Sequence, residues 1–324
     1  MVEEARSSSA EWAWFQRTFE ALAANVERVI QGKTHEVRLA LAALSAEGHL
    51  LIEDVPGVGK TMLAKAMARS FDCSFRRIQF TPDLLPTDIT GVNVFNQERG
   101  DFEFKPGAIF ANIVLGDEIN RASPKTQSAL LESMEEHQVT VDGVTYQLGV
   151  PFMVIATQNP IEHEGTYPLP ESQLDRFMIR LAIGYPSPEA ETEILATHGT
   201  ASTLDQIEPV ADATAAARMI AVARDVFVAD SLRRYIVDIA DATRRHPDVY
   251  LGASPRAAIM LLRASRAMAA AEGRDYVVPD DMKALVIPVL GHRMIVSADA
   301  AMSGRGTETV LNEALDEVPV PVKG

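Results

Sequence analysis

His49-Leu50-Leu51-Ile52-Glu53 followed by Asp54-Val55-Pro56-Gly57-Val58-Gly59-Lys60-Thr61 is the stretch on which the reading of this chain turns. A short apolar run gives way to a glycine-bearing turn, and Thr61 to Arg69 beyond it is rich in helix formers, so the order is strand, loop, helix. That is the context a phosphate-binding loop requires. The glycines allow successive backbone amides to turn inward on phosphate oxygens. Lys60 would reach the β and γ phosphates, and the Thr61 hydroxyl would take a Mg²⁺ site. Asp54 stands where the usual pattern has its first glycine; Pro56 offers another way to fix the turn.

Downstream, Ala111-Asn112-Ile113-Val114-Leu115 and Phe152-Met153-Val154-Ile155-Ala156 are uninterrupted apolar runs of the kind used by parallel strands buried on both faces. Strands separated by helical stretches predict an α/β fold, a parallel sheet in an αβα layer with right-handed crossovers. The first of these runs continues into Gly116-Asp117-Glu118, which places two carboxylates at the carboxyl edge of the sheet, where open α/β folds bind ligands. Asp117 would hold Mg²⁺ through its water shell and Glu118 would polarise an attacking water. The second run ends in Thr157-Gln158-Asn159-Pro160, and the Asn159 amide has both a donor and an acceptor for a lytic water or a γ-phosphate. Farther on, Arg176 follows Asp175, and Ser254-Pro255-Arg256 opens a helix with Ser as N-cap and Pro in the first turn. A salt bridge between the adjacent Asp175 and Arg176, and a solvated helix-start Arg256, are the ordinary alternatives to a catalytic role for these arginines.

Two interruptions of the core read as β-hairpins, Val92–Phe95 with Phe102–Phe104, and Val139–Val141 with Val144–Leu148 around Asp142-Gly143. Ahead of the first strand, Trp12, Phe15, Phe19, Leu22, Val26 and Ile30 recur at helical spacing, and Glu36–Leu44 forms a second helical segment. The prolines of Tyr185-Pro186-Ser187-Pro188 mark a boundary. Helical patterns follow at Glu189–His198, Thr214–Val226, Ser231–Arg245, Pro255–Ala271 and Asp280–Leu290. The expected division is a nucleotide-binding core over 1–185 that includes the N-terminal helices, a linker with a connecting helix over 186–210, and a small all-helical lid over 211–324. Met1–Ala10 and Val318–Gly324 read as frayed tails.

The chain has 324 residues and a formal net charge of −15, divided as −9 through Tyr185 and −6 beyond it, so neither part is a hidden basic module. Nonspecific binding to nucleic acid needs concentrated Lys and Arg and is not expected. A single cysteine, Cys73, excludes a disulfide framework and multi-cysteine metal sites. With no secretory pattern and no apolar run of about 20 residues, a cytoplasmic location and no transmembrane segment are expected. His163, between two glutamates, lacks a second histidine at ligand spacing.

Taken in order, Leu51–Thr61, Gly116–Ala122, Ala156–Pro160 with Glu164–Glu171, and Ser254–Ala257 resemble the MoxR family of AAA+ ATPases, a likeness that runs from about Val29 to Val296. The resemblance implies a nucleotide-binding segment of Pro56, Gly57, Val58, Gly59, Lys60, Thr61 and Met62 together with Asp117, a metal held by Thr61 and Asp117, and catalytic roles for Glu118, Asn159, Arg176 and Arg256. In this scheme Lys60 and Thr61 form the Walker A motif, Asp117 and Glu118 the Walker B motif, Asn159 sensor 1, Arg176 the arginine finger and Arg256 sensor 2. ATP and Mg²⁺ are the implied cofactors. The implied assembly is a homo-oligomeric ring, usually a hexamer, that remodels or matures a protein client, often with a partner bearing a von Willebrand A domain. The hairpins would face the pore or the client. Alternatives are the ATPase subunit of a metal chelatase, a nucleic-acid motor, which the net charge disfavours, and a nucleotide-gated scaffold, which does not need Glu118.

Overall fold

The computed structural model describes residues 2–160, 165–192 and 203–321, the side chains of 2–9 excepted. His163, Glu164 and the later part of the expected Glu189–His198 helix lie outside the described residues.

Five parallel strands, β1 (Leu50–Glu53), β2 (Phe75–Gln79), β5 (Ile113–Asp117), β8 (Met153–Gln158) and β9 (Ile179–Leu181), form one sheet in the order β2-β5-β8-β1-β9. Ladder partners such as Glu53 with Gln158, Gly116 with Ala156 and Gln79 with Asp117 set the carboxyl ends of β1, β5, β8 and β2 along one edge. Side chains alternate between the two faces, as the pleat requires. Leu50, Ile52, Ile113, Leu115, Met153 and Ile155 face α3 (Lys60–Ser70) and the N-terminal helices. Leu51, Val114, Val154 and Ala156 face α5 (Pro124–Glu136), through its Leu130, Leu131 and Met134. Covering both faces is what makes the strands read as unbroken apolar runs.

Helix α1 spans Val2–Glu27, so the serine run Ser7–Ser9, expected to be tail, is helical. Its Phe15, Phe19, Leu22 and Val26 are fully buried at helical spacing, and Phe15 and Phe19 stack with centroids 6.1 Å apart. Burial of each phenylalanine stabilises the fold by about 1.5–3 kcal/mol. They join α2 (Thr34–Ser45) in one apolar cluster with the small residues Ala257, Ala264, Ala267 and Ala271 of a later helix, α9 (Pro255–Ala271). The N-terminal helices therefore bridge the sheet and the helical C-terminal part.

Both expected hairpins are present, following the short α4 (Pro86–Thr90) and α5 respectively: β3 (Gly91–Asn96) with β4 (Asp101–Pro106), and β6 (Gln138–Val141) with β7 (Val144–Gln147). Asp142 and Gly143 both have positive φ, the requirement of a type I′ turn. The hairpins are not independent. Phe104 stacks on Tyr146 at 3.9 Å, and the Asn93 amide donates to Asp142 at 2.8 Å. Past the short α6 (Glu171–Leu174) and β9 come α7 (Ala213–Asp225), α8 (Asp230–Arg245), α9, α10 (Pro279–Leu290), α11 (Ala298–Met302) and α12 (Thr307–Glu317), with a small antiparallel pair, β10 (Val249–Leu251) and β11 (Ile295–Val296).

Candidate nucleotide site

The turn after β1 is tied down from both sides. The Asp54 amide donates to Gln158 O at 3.2 Å, and its carboxylate accepts from Val55 N at 2.8 Å and from Gly184 N at 2.6 Å. Aspartate at this position thus fastens the loop to the segment that follows β9, a role glycine could not fill. Gly57 and Gly59 have φ of +88° and +96°, and a Cβ at Gly57 would enter open space, so it is the left-handed backbone that calls for glycine there. Gly59 is the N-cap of α3, and the first amides of a helix have no intrahelical acceptor. A cavity of about 260 Å³ runs from Gly57, Gly59 and Met62 to Val29, Ile30 and Ile183. Its polar end is the helix start, and its apolar walls suit a flat base.

Lys60 bridges the loop and the sheet. Its ammonium donates to the Asp54 carbonyl and, at 3.3 Å, to Gln158 O; both acceptors are neutral carbonyls, which leaves the cation's charge available for a phosphate. Burial lowers its pKa, opposed by the carboxylates of Asp54, Asp117 and Glu118. Thr61 follows in the first turn of α3.

At the end of β5, Asp117 Oδ1 accepts from Thr157 Oγ1 at 2.7 Å, and Oδ2 pairs with Arg77 at 2.5 Å. Glu118 has a left-handed backbone, φ +57°, which swings its carboxylate off the line of the strand. There Oε2 accepts from Gln79 at 3.0 Å and from Arg121 at 2.8 Å. Asn159, 9% exposed, follows β8 on the same edge. Lys60, Thr61, Asp117, Glu118 and Asn159 thus converge on the carboxyl edge. Among the described residues no three His, Cys, Asp or Glu side chains gather to bind a metal by themselves; the donors present, one hydroxyl and one carboxylate beside a phosphate cradle, fit a hard cation that brings nucleotide oxygens as its other ligands.

Arg176 and Arg256 lie elsewhere. Arg176 precedes β9, in which Ile179 stands opposite Leu50, and Met178 N donates to His49 O at 2.8 Å. That is the amino edge of the sheet. Strands of three to six residues, at ~3.3 Å per residue, separate the two edges by about 15 Å. Arg256 joins Arg176 there: both pair with Glu135, near the end of α5, Arg176 at 3.1 Å. They line a second cavity of about 330 Å³ that shares no lining residue with the first. Ser254 caps α9 as expected, accepting from Ala257 N at 3.0 Å. Asp175 does not pair with its neighbour Arg176. Its partner is Arg293, buried and 3.0 Å away, and its carboxylate also accepts from Ser254 Oγ at 3.2 Å. Arg293 in turn donates to the carbonyls of Phe177 and Met178. The helix that carries Arg256 and the segment that carries Arg176 form one block.

The residues that sequence reasoning missed are Arg77, Gln79, Glu135 and Arg293. Only Arg77 and Gln79 left a signal, as two polar residues at period two in Phe75-Arg76-Arg77-Ile78-Gln79-Phe80.

The comparisons with known proteins agree with this geometry. The family model for ATPases associated with various cellular activities matches residues 49–179, and the AAA lid domain model matches residues 241–314. A crystal structure from Cytophaga hutchinsonii, of a protein assigned as an ATPase, superposes with a TM-score of 0.92 at 37% identity, covering 98% of this chain and 99% of that one. Fold and site define an AAA+ ATPase. Among curated relatives, YeaC of Bacillus subtilis, an uncharacterized protein, is 50% identical over 92% of this chain and 93% of its own. Chaperone MoxR1 of Mycobacterium tuberculosis is 42% identical over 94% of this chain and 82% of its own, and protein MoxR of Paracoccus denitrificans 30% identical over 95% and 97%. The chain belongs to the MoxR family of AAA+ ATPases. No helix among the described residues is long and apolar enough to cross a membrane.

Proposed function

We propose that this chain hydrolyses ATP with Mg²⁺ as a homo-oligomeric ring in which Arg176 and Arg256 of one copy complete the nucleotide site of the next, and that turnover remodels a protein client. The observation that carries the reading is the placement of these two arginines on the amino edge, about 15 Å from the Lys60 edge of their own sheet. A side chain there serves a nucleotide held by a neighbour.

Within one site the roles follow from the donors. Loop amides and Lys60 hold the phosphates, and the cavity beside Ile30 and Ile183 takes the base. Thr61 and Asp117 would hold Mg²⁺, which neutralises phosphate charge when bound. Glu118 accepts a proton from water, and Asn159 orients that water by its amide. Arg176 and Arg256 place positive charge on the transferring phosphoryl group. The core ends near Tyr185, and the lid over 211–324 carries Arg256 to the interface. A hexamer in the cytoplasm, a client reached by the exposed Phe95 and Phe102 of the β3–β4 hairpin, and a von Willebrand A domain partner complete the proposal.

Mixing tests it. An Arg176→Ala/Arg256→Ala chain and a Glu118→Gln chain should each be nearly inactive alone. Mixed in equal amounts they should regain turnover, because an intact Glu118 on one then meets intact arginines on the other. If the mixture stays dead while both chains still form rings, the two arginines act within their own chain and the proposal fails.

A further inference from the structure

A closed circuit of hydrogen bonds ties the two carboxylates at the end of β5 to two side chains of the edge strand β2. The Arg77 guanidinium gives Nε at 3.1 Å and Nη2 at 2.5 Å to Asp117 Oδ2, and Nη2 also donates to Gln79 Oε1 at 2.8 Å. Gln79 Nε2 then donates to Glu118 Oε2 at 3.0 Å. On the other side the Glu118 amide donates to Thr157 Oγ1 at 2.9 Å, and that hydroxyl donates to Asp117 Oδ1 at 2.7 Å. Arg77 and Gln79 are two apart on a strand, so they share a face, and the register sets Gln79 opposite Asp117.

An amide is a donor at one end and an acceptor at the other, and turning it over exchanges them. A guanidinium only donates. With Arg77 held on Asp117, the Gln79 oxygen is the end that must face it, which commits the nitrogen to Glu118. Turned over, the amide would set its oxygen against a carboxylate and its nitrogen against a cation. Arg121 reaches the same Glu118 oxygen from the following turn, so without Gln79 the carboxylate would be drawn toward Arg121 alone.

We propose that Arg77 is a positioning residue of ATP turnover: anchored on Asp117, it fixes the Gln79 amide in the orientation that aims the Glu118 carboxylate. The proposal rests on the reading of Glu118 as the group that polarises water. Arg77 itself touches neither nucleotide nor water in this role. Its side chain is about half exposed (49%), so its removal leaves no buried void.

The test is a set of full-length variants, Arg77→Ala, Arg77→Lys, Gln79→Ala and the double Arg77→Ala/Gln79→Ala, measured for ATP turnover and for binding of a fluorescent ADP analogue. Each single variant should lower kcat about tenfold and leave KM and ADP affinity within about twofold, the pattern of a transition-state loss. Lys should not rescue, because an ammonium on a flexible stem lacks the planar fork that serves Asp117 and Gln79 together. The double variant should be no slower than the slower single, since the two residues act in series. In a Glu118→Gln background Arg77→Ala should cost nothing further. Losses that multiply to about a hundredfold in the double variant, or a loss confined to KM, to ADP binding or to ring assembly, would overturn the proposal. Wild-type turnover by Glu118→Gln alone would overturn the reading of Glu118 on which it rests.

Discussion

Replacing Arg293 by methionine removes the charge that holds the Arg176 segment to the lid. The side chain of Arg293 is 1% exposed, and its pKa is pushed down to about 10 by burial, with the Asp175 carboxylate opposing the shift. Removing one partner of a buried ion pair costs about 3–5 kcal/mol because the other is left without compensation. Here the lower end applies. Asp175 keeps 19% side-chain exposure and the Ser254 hydroxyl, and the Phe177 carbonyl keeps a hydrogen bond from His292 at 2.9 Å. Methionine fills most of the volume, so the expected loss is about 3 kcal/mol, which at roughly 2–4 °C per kcal/mol lowers Tm by about 6–12 °C. Urea unfolding and a thermal melt measure it. Adding Asp175→Asn should restore at least about 1 kcal/mol, since an amide is cheaper to leave unpaired than a carboxylate. A melt within about 2 °C of wild type, or a double variant less stable than Arg293→Met alone, would refute the account of Arg293 as the clasp between the lid and the segment that carries Arg176.

Three further outcomes follow from the geometry. Glu118→Gln should lower kcat by about 10² or more while Lys60→Ala abolishes nucleotide binding, a split read by turnover together with ADP-analogue titration. Asp54→Ala should raise KM for ATP severalfold with a smaller change in kcat, because the Gly184 amide that borders the cavity proposed for the base loses its acceptor; an unchanged KM would show that the tether does not shape the pocket. His49 sets a pH limit on stability. It is fully buried and neutral, with Nε2 donating to Met134 O and Nδ1 accepting from Val154 N, and burial pushes its pKa down to about 4. The unfolded chain takes up a proton at the ordinary value near 6.5 that the folded chain refuses, so stability falls as pH drops from 6.5 to 4, by about 3 kcal/mol at the lower end. His292, buried and also shifted well below its ordinary value, adds to the loss in the same direction. A His49→Gln chain should show a shallower decline over that window in urea unfolding, and an equal slope would remove His49 as its source.

Much of the chain was legible because its signals are local. The apolar runs of β1, β5 and β8, the Asp142-Gly143 turn, the Ser254-Pro255 helix start and the amphipathic spacing of α1 each depend on neighbours within a few residues, and each appears where it was expected. The strands β2 and β9 were missed. Arg76 and Arg77 interrupt β2 at the sheet edge, and β9 has three residues, too few for a period to show. Helix α5 and its Glu135 went unread for want of a motif, and the last helix, α12, was passed over.

By itself the sequence determined the fold class, the phosphate loop and the pair of carboxylates at a strand end, because backbone conformation and burial are dictated by nearby side chains. Only the tertiary structure decided that Arg77 and Gln79 bear on those carboxylates, that Asp175 pairs with Arg293 and not with Arg176, and that Arg176 and Arg256 meet at Glu135 on the far edge of the sheet. Those partners are separated by between 39 and 121 positions in sequence. No local pattern encodes such a pairing; it exists only once parallel strands fix the register and the lid packs back on the core.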